Sequence, residues 1–421
     1  MALEDYAAKI AAIAPVQKAI HRVVATTEYF IFPLLIPFQD IIEGPGSSER
    51  AVELLKNNGN KKALIITDAV LVKLGVLEAM LKAMDKAKFE YAIFDGVEPN
   101  PSIENIEAGF ALYQKEKCDC IVGFGGGSAM DCSKVVACRA AKPNMSVLDM
   151  CRAMGYFPVT LPKLDKTPFL LAVPTTAGTG AESTVAAVVS NHAIDKKVSI
   201  TDIAMRPNAI ILDASLATGL PPKPTAETAI DAFCHCLEGY INLSHNPRAD
   251  EYAIRGMRLI MENIDTAFND GKNLEARQNL CQAAYFGGQV LNFEMTGYVH
   301  PFCHKIGAKY GLVHGRCIGA VLPIMLEAYG KDVESRLAKV ACALGLAEKD
   351  DSPVNQAKTL IAWIREFDTK YGIPANIPEI SEDDFEEIAD SIMLEMFPYP
   401  TKTYFTRNEI YSLLRKIKGN N

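Results

Sequence analysis

Three of the chain's seven histidines, His300, His304 and His314, fall within "GYVHPFCHKIGAKYGLVHG", Gly297 to Gly315. Upstream, "TAETAIDAFCHCLEGYI" carries Asp231 and His235 four residues apart. At helical spacing these two stack on one face, beside an apolar stripe of Ile230, Phe233, Leu237 and Ile241. A carboxylate and an imidazole at i and i+4 can grip a metal at two points. His300 and His304 repeat that spacing, and His314 follows a break expected at Gly311. Alone, an Asp–His pair is more simply a buried hydrogen bond, and single histidines can be satisfied separately in a core. Such separate explanations do not account for the cluster. One Asp and three His make a mixed oxygen–nitrogen site suited to Fe(II) or Zn(II). Five candidates for four positions leave one histidine for another task. Glu238, on the same flank as Asp231, either supports a ligand or makes an inter-helix contact.

A second kind of chemistry is written in "IVGFGGGSAMDCSK". A strand ends at Phe124, Gly125, Gly126 and Gly127 turn the chain, and Ser128 is placed to cap a helix running through Met130 to Ala140. Glycines allow close backbone approach, and a fresh helix N-terminus offers free N–H groups to a pyrophosphate. The pattern is neither GxGxxG nor GxxxxGK[ST], so a tight turn without ligand is the competing reading. Asp68, just past the strand "ALIIT", can accept hydrogen bonds from an adenosine ribose and would repel a 2′-phosphate. Its plainer role is a helix cap. "PTTAGTGAES", Pro174 to Ser183, is a further loop of hydroxyl and amide donors at a strand end.

The elements that must hold these residues change character along the chain. From Lys62 to Asp213, short β-branched runs ("KALIIT", "YAIFDG", "CDCIVGF", "PFLLAVPTT", "NAIILD") alternate with helical patterns. That alternation predicts a mostly parallel sheet with helices on both faces. After "LPPKP", Leu220 to Pro224, strand-like runs nearly vanish. The expected organisation is an N-terminal helical extension over 1–30, an α/β dinucleotide-binding domain over 31–218 and an all-helical metal domain over 219–421. Within the extension, Leu3, Tyr6, Ile10 and Ile13 recur at helical spacing, as in a helix packed on its own chain, on a partner subunit or on a docking surface.

Composition narrows the class. The chain has 421 residues, 49% hydrophobic and 22% charged, and no apolar run approaches the roughly 20 residues that span a bilayer. Glu4 and Asp5 stand where a secretory signal is positive. A net charge of −8 without a basic block excludes a nucleic-acid footprint. Eleven cysteines, an odd number scattered through globular sequence, fit buried thiols in a reducing compartment, so a cytoplasmic protein is expected. Cys118/Cys120 and Cys234/Cys236 lack the two-residue spacing of common zinc or redox motifs.

Together "GGGSAMDCSK", "PTTAGTGAES", "DAFCHCLEGYI" and "HPFCHKIGAKYGLVHG" resemble the successive signatures of the iron-containing (group III) alcohol dehydrogenases, over about Phe32 to Lys416. The resemblance implies the dehydroquinate synthase-like fold: an α/β domain, a helical metal domain, and a cleft for NAD(P) and the alcohol. It implies metal ligation by Asp231, His235, His300 and His314, with His304 beside the nicotinamide for positioning or proton relay. It also implies a pyrophosphate loop at Gly125, Gly126, Gly127 and Ser128, and an acidic Asp68 that favours NAD over NADP. Thr175, Thr176 and Thr179 would flank the cofactor, and Lys197 its ribose. A homodimer or higher homo-oligomer is implied as well. Three features depart from the family: the N-terminal extension, the closing segment "FPYPTKTYFTRNEI", and Pro301, which restricts His300 towards extended geometry.

The expected reaction is hydride transfer between a small primary alcohol, or its aldehyde, and NAD, with Fe(II) as metal and Zn(II) acceptable to the same ligands. The alternative within the fold is a glycerol or diol dehydrogenase or related polyol enzyme, or a cyclase like dehydroquinate synthase. A non-catalytic metal-binding scaffold predicts no dinucleotide affinity, which the glycine turn and Asp68 oppose.

Overall fold

The computed structural model describes residues 14–30, 32–154, 166–192 and 196–419. The pattern expected over Leu3, Tyr6, Ile10 and Ile13 lies outside these residues. The chain divides into two compact units. One is α/β and comprises Leu35–Pro221 with Asp265–Gly288; the other is helical and holds the N-terminal helix Ala14–Phe30, Pro222–Ile264 and the described chain from Gln289 onward. The helices Pro247–Asn269 and Leu274–Glu294 therefore each contribute to both units.

The α/β unit is built on six strands, β1 (Asp40–Glu43), β2 (Lys62–Ile66), β3 (Glu90–Phe94), β4 (Cys120–Gly125), β5 (Phe169–Pro174) and β8 (Ala209–Leu212). They form a parallel sheet in the order β1-β8-β5-β4-β2-β3. Period-two side-chain alternation fills both faces. Leu64 and Ile66 of β2 pack with Ile106, Phe110, Val135 and Val136, whereas Ala63 and Ile65 pack with Leu55, Met80 and Met84. The expected parallel sheet with helices on both sides is present. β1 and the antiparallel hairpin of β6 (Ala186–Asn191) with β7 (Lys196–Thr201) are additions to the strands read from sequence.

Strand order fixes where a ligand can lie. β3 pairs on one side of β2 and β4 on the other, so the connections diverge between β2 and β4. In an open parallel sheet this switch point leaves a crevice at the strands' carboxyl ends. Asp68 follows β2 there, and Gly125 to Gly127 follow β4.

In the helical unit, Pro222–Ile241 is buried along nearly its whole length, which explains its apolar residues beyond a single stripe. Val299–Tyr310 stops at Gly311, which takes the left-handed conformation (φ 65°) that glycine adopts without penalty. Three residues later His314 opens the helix His314–Tyr329. Pro301 does not force His300 out of helical geometry. It sits in the first turn of its helix, where a backbone N–H has no intrahelical partner to lose.

All eleven cysteines are free thiols, and only Cys342 is not fully buried. Among the described residues no helix is long and apolar enough to cross a membrane.

Candidate metal centre and dinucleotide cradle

Three helices of the helical unit bring the expected metal ligands together. Asp231 and His235 come from Pro222–Ile241, His300 from Val299–Tyr310, and His314 from the start of His314–Tyr329. Asp231 Oδ1 lies 3.5 Å from His314 Nε2 and 3.7 Å from the Nε2 atoms of both His235 and His300. The ligand atoms of Asp231, His300 and His314 all fall within 4.8 Å of one another. His235 approaches through Asp231 and stacks on His300, with ring centroids 4.6 Å apart.

Two atoms at the centre test whether a metal fits. Asp231 Oδ1 and His300 Nε2 are buried and make no hydrogen bond, and 3.7 Å is too long for one between them. Buried polar groups are rarely left so, and a carboxylate facing three imidazoles is a donor set a divalent cation satisfies. Glu238 supplies the support behind it. Its Oε2 is 2.6 Å from His300 Nδ1 and its Oε1 accepts the Val299 N–H at 2.8 Å. A carboxylate on Nδ1 turns Nε2 toward the centre and raises its basicity. A Cβ at Gly297 would stand 2.5 Å from Glu238 Oε1, so that glycine makes room for the support.

The charges follow from burial and neighbours. Burial drives the pKa of His235 down to about 4 and that of His314 to about 3, which keeps both imidazoles neutral and free to ligate. Burial opposes ionisation of Asp231, yet His235, His314 and His300 hold it below the usual carboxylate range. Burial also lowers His300, but the flanking Asp231 and Glu238 carboxylates outweigh it and push His300 up. A cation arriving at Nε2 replaces that proton.

His304 borders the cluster: its side chain keeps 27% of its exposure, and its ring stacks on that of His314 at 5.2 Å. Its Nδ1 is 2.6 Å from Glu395 Oε1. Sequence spacing gave no signal for Glu395, which lies 91 residues away on the helix Phe385–Met396.

The α/β unit assembles the other expected residues. The helix Gly127–Ala141 begins from an extended Gly126, so Gly126 rather than Ser128 is the capping position. Ser128 Oγ instead accepts the N–H of Asn100 at 3.1 Å. Gly125 has φ +147°, closed to most side chains, and a Cβ there would meet Ala129. Thr175 donates its N–H to Gly125 O at 2.9 Å, and the side chains of Thr176 and Thr179 lie where Cβ atoms on Gly126 and Gly127 would come within 3.5 and 3.0 Å. The threonine loop is thus packed against the glycine turn.

Asp68 does two things at once. Oδ1 caps the helix Ala69–Lys73 by accepting from Val70 and Leu71 N–H, while Oδ2 faces the glycine turn, 3.8 Å from a Cβ built on Gly125. Lys197 Nζ donates to Asn100 Oδ1 at 2.8 Å, which joins it through Asn100 to Ser128. Asn100, in the turn "EPNPS", is a link between two expected residues that motif reading did not single out, and its φ of +55° is one asparagine tolerates.

Comparison with known proteins agrees with both halves. The family profile "Iron-containing alcohol dehydrogenase" matches residues 39–214, and "Fe-containing alcohol dehydrogenase family, C-terminal" matches 225–418. The chain is 33% identical over 377 residues to alcohol dehydrogenase 4 of Saccharomyces cerevisiae, covering 89% of this chain and 95% of that protein. It is 32% identical over 392 residues to 1,3-propanediol dehydrogenase of Klebsiella pneumoniae, covering 92% and 99%. The crystal structure of a 1,3-propanediol oxidoreductase superposes with a TM-score of 0.83 at 32% identity, over 90% of this chain and 97% of that one. With matched profiles over both units and relatives aligned along almost their full length, the chain belongs to the iron-containing alcohol dehydrogenase family.

Proposed function

We propose that this chain is an NAD-dependent, Fe(II)-dependent alcohol dehydrogenase that interconverts small primary alcohols and their aldehydes. The observation that carries the reading is the unsatisfied Asp231 Oδ1 facing three imidazoles, with a fourth, His304, stacked at its edge. Asp231, His235, His300 and His314 would hold the metal. Bound there, it supplies the positive charge that lowers the pKa of an alcohol hydroxyl. The nicotinamide supplies the hydride acceptor. The protein's own part is positioning and proton transfer. Glu395 takes the Nδ1–H of His304 as a hydrogen bond, leaving the Nε2 lone pair as the base that removes the alcohol proton, directly or through a ribose hydroxyl. Gly125 to Ser128, Thr175, Thr176, Thr179 and Lys197 would hold the cofactor, and the Asp68 carboxylate disfavours a 2′-phosphate.

Glycerol or another diol is the alternative substrate, supported by the match to a 1,3-propanediol dehydrogenase over nearly its full length. Free, buried thiols support a reducing, cytoplasmic setting, and a homodimer or higher homo-oligomer is the expected assembly.

The test is anaerobic purification, metal analysis and NADH oxidation with short aldehydes, with and without a terminal hydroxyl. Near-stoichiometric iron with turnover supports the reading, and the aldehyde ranking separates simple alcohols from diols. Bound zinc without turnover after iron reconstitution would sink it.

A further inference from the structure

The helix Ala14–Phe30 precedes the first residue matched by the family profile, residue 39, yet it is anchored inside the helical unit. Among its described residues Val24 and Ala25 are buried, and so is one polar side chain, His21, although its neighbours Arg22 and Val23 are exposed. Its Nε2 lies 3.0 Å from Phe397 O and its Nδ1 3.2 Å from Thr401 O. The Tyr404 hydroxyl is 3.0 Å from Nδ1, and the two rings stack at 5.1 Å. Burial lowers the His21 pKa despite these carbonyls, which favours a neutral ring donating from Nε2 to Phe397 and accepting from Tyr404.

A neutral ring has one N–H, so Phe397 O takes the hydrogen bond from Nε2 while Nδ1 accepts the Tyr404 hydroxyl, and these partners lie two residues before and five residues after Tyr399. The imidazole therefore ties together the two sides of the turn that presents Tyr399. Leu243 N–H holds the same turn from the other side through Pro400 O, at 2.9 Å. The Tyr399 hydroxyl reaches Glu395 Oε1 at 3.4 Å, the same oxygen that is 2.6 Å from His304 Nδ1. A continuous run of contacts thus leads from the N-terminal helix to the histidine at the metal cluster.

We infer that His21 is a positioning residue: by bridging the turn around Tyr399 it keeps Tyr399 and Glu395 set on Nδ1 of His304, and so fixes which nitrogen of His304 carries the lone pair. The inference rests on the role proposed above for His304. A fixed tautomer matters because a base with its lone pair on the wrong nitrogen cannot take the proton.

The experiment uses the full chain loaded with zinc for spectroscopy and with iron for kinetics. With seven histidines to assign, 15N spectra of histidine-labelled protein report the His304 tautomer directly. The wild type should show Nδ1–H on His304, and His21→Ala should show a mixture. Turnover should fall about 10- to 100-fold with the metal content and KM for NADH within about two-fold of wild type. His21→Gln, which keeps a donor, should recover part of the loss. Tyr399→Phe, which leaves the N-terminal helix untouched, should shift the tautomer in the same direction and covers the case in which His21→Ala does not fold. A lower melting temperature with unchanged tautomer and kcat would make His21 a structural anchor only and overturn the inference. If the wild type turns over no alcohol, the proposed function fails while the tautomer of His304 in the variants still decides the positioning role.

Discussion

Asp231 Oδ1 faces the Nε2 atoms of His235, His300 and His314 at 3.5 to 3.7 Å without a hydrogen bond, while the carboxylate beside His304, one helical turn beyond His300, is Glu395. Sequence spacing does not show that difference, since His300 and His304 are themselves an i, i+4 pair. His304→Ala should slow kcat by about 10²- to 10⁴-fold while metal analysis finds the site as full as in the wild type. Loss of bound metal in that variant would make His304 a ligand. The five candidate residues were legible because short-range spacing on a helix is a strong constraint. Spacing alone did not sort them, since their supporting partners, Glu238 and Glu395, lie 62 and 91 residues away in sequence; the sorting came from the family resemblance.

At the scale of elements, the strand runs rich in Ile, Val and Leu between Lys62 and Leu212 were legible because a buried parallel strand needs apolar residues on both faces. The hairpin of β6 and β7 was not. Its residues, "AAVVSN" and "KKVSIT", mix polar and small side chains, as a half-exposed antiparallel pair allows. Pro301 misled for a local reason, because its cost depends on whether it falls in the first turn or the interior of a helix. The end of β8 carries a testable brace. Asp213 accepts N–H groups of Gly46, Ser48 and Ser215 at 2.8 to 3.0 Å and the Ser215 hydroxyl. Burial would raise its pKa, but these donors prevail and hold it below the usual carboxylate range. A depressed folded pKa means the stabilisation is present above the unfolded pKa, about 3.9, and is lost as pH falls through the folded value. Asp213→Asn should therefore cost about 1–3 kcal/mol at pH 7, with the gap to wild type narrowing below about pH 4. Denaturant melts at both pH values measure it, and a gap that persists in acid would refute the charge assignment.

For the molecule as a whole, the metal ligands all belong to the helical unit and the glycine turn, threonine loop and Asp68 all belong to the α/β unit. The two sites share no residue. Chelation should abolish turnover but leave NADH binding, followed by fluorescence, within a few-fold of the loaded enzyme. Loss of NADH affinity on chelation would mean that the metal also organises the cradle. The sequence places its change from strand–helix alternation to helix near Thr218 to Pro224, and the units divide after Pro221. The share of Asp265–Gly288 in the α/β unit was not legible, because a helix shows no compositional break where it changes neighbours.

The thiols give the molecule a ruler for its own integrity. Ten of the eleven cysteines are sealed in the interior, where burial pushes the thiols of Cys236 and Cys281 up to about 12 and raises Cys120 as well, far from reactive thiolate. A coloured thiol reagent at neutral pH should count about one group, Cys342, in the native protein and eleven after denaturation. Intermediate counts would time the opening of each interior region, without any added probe.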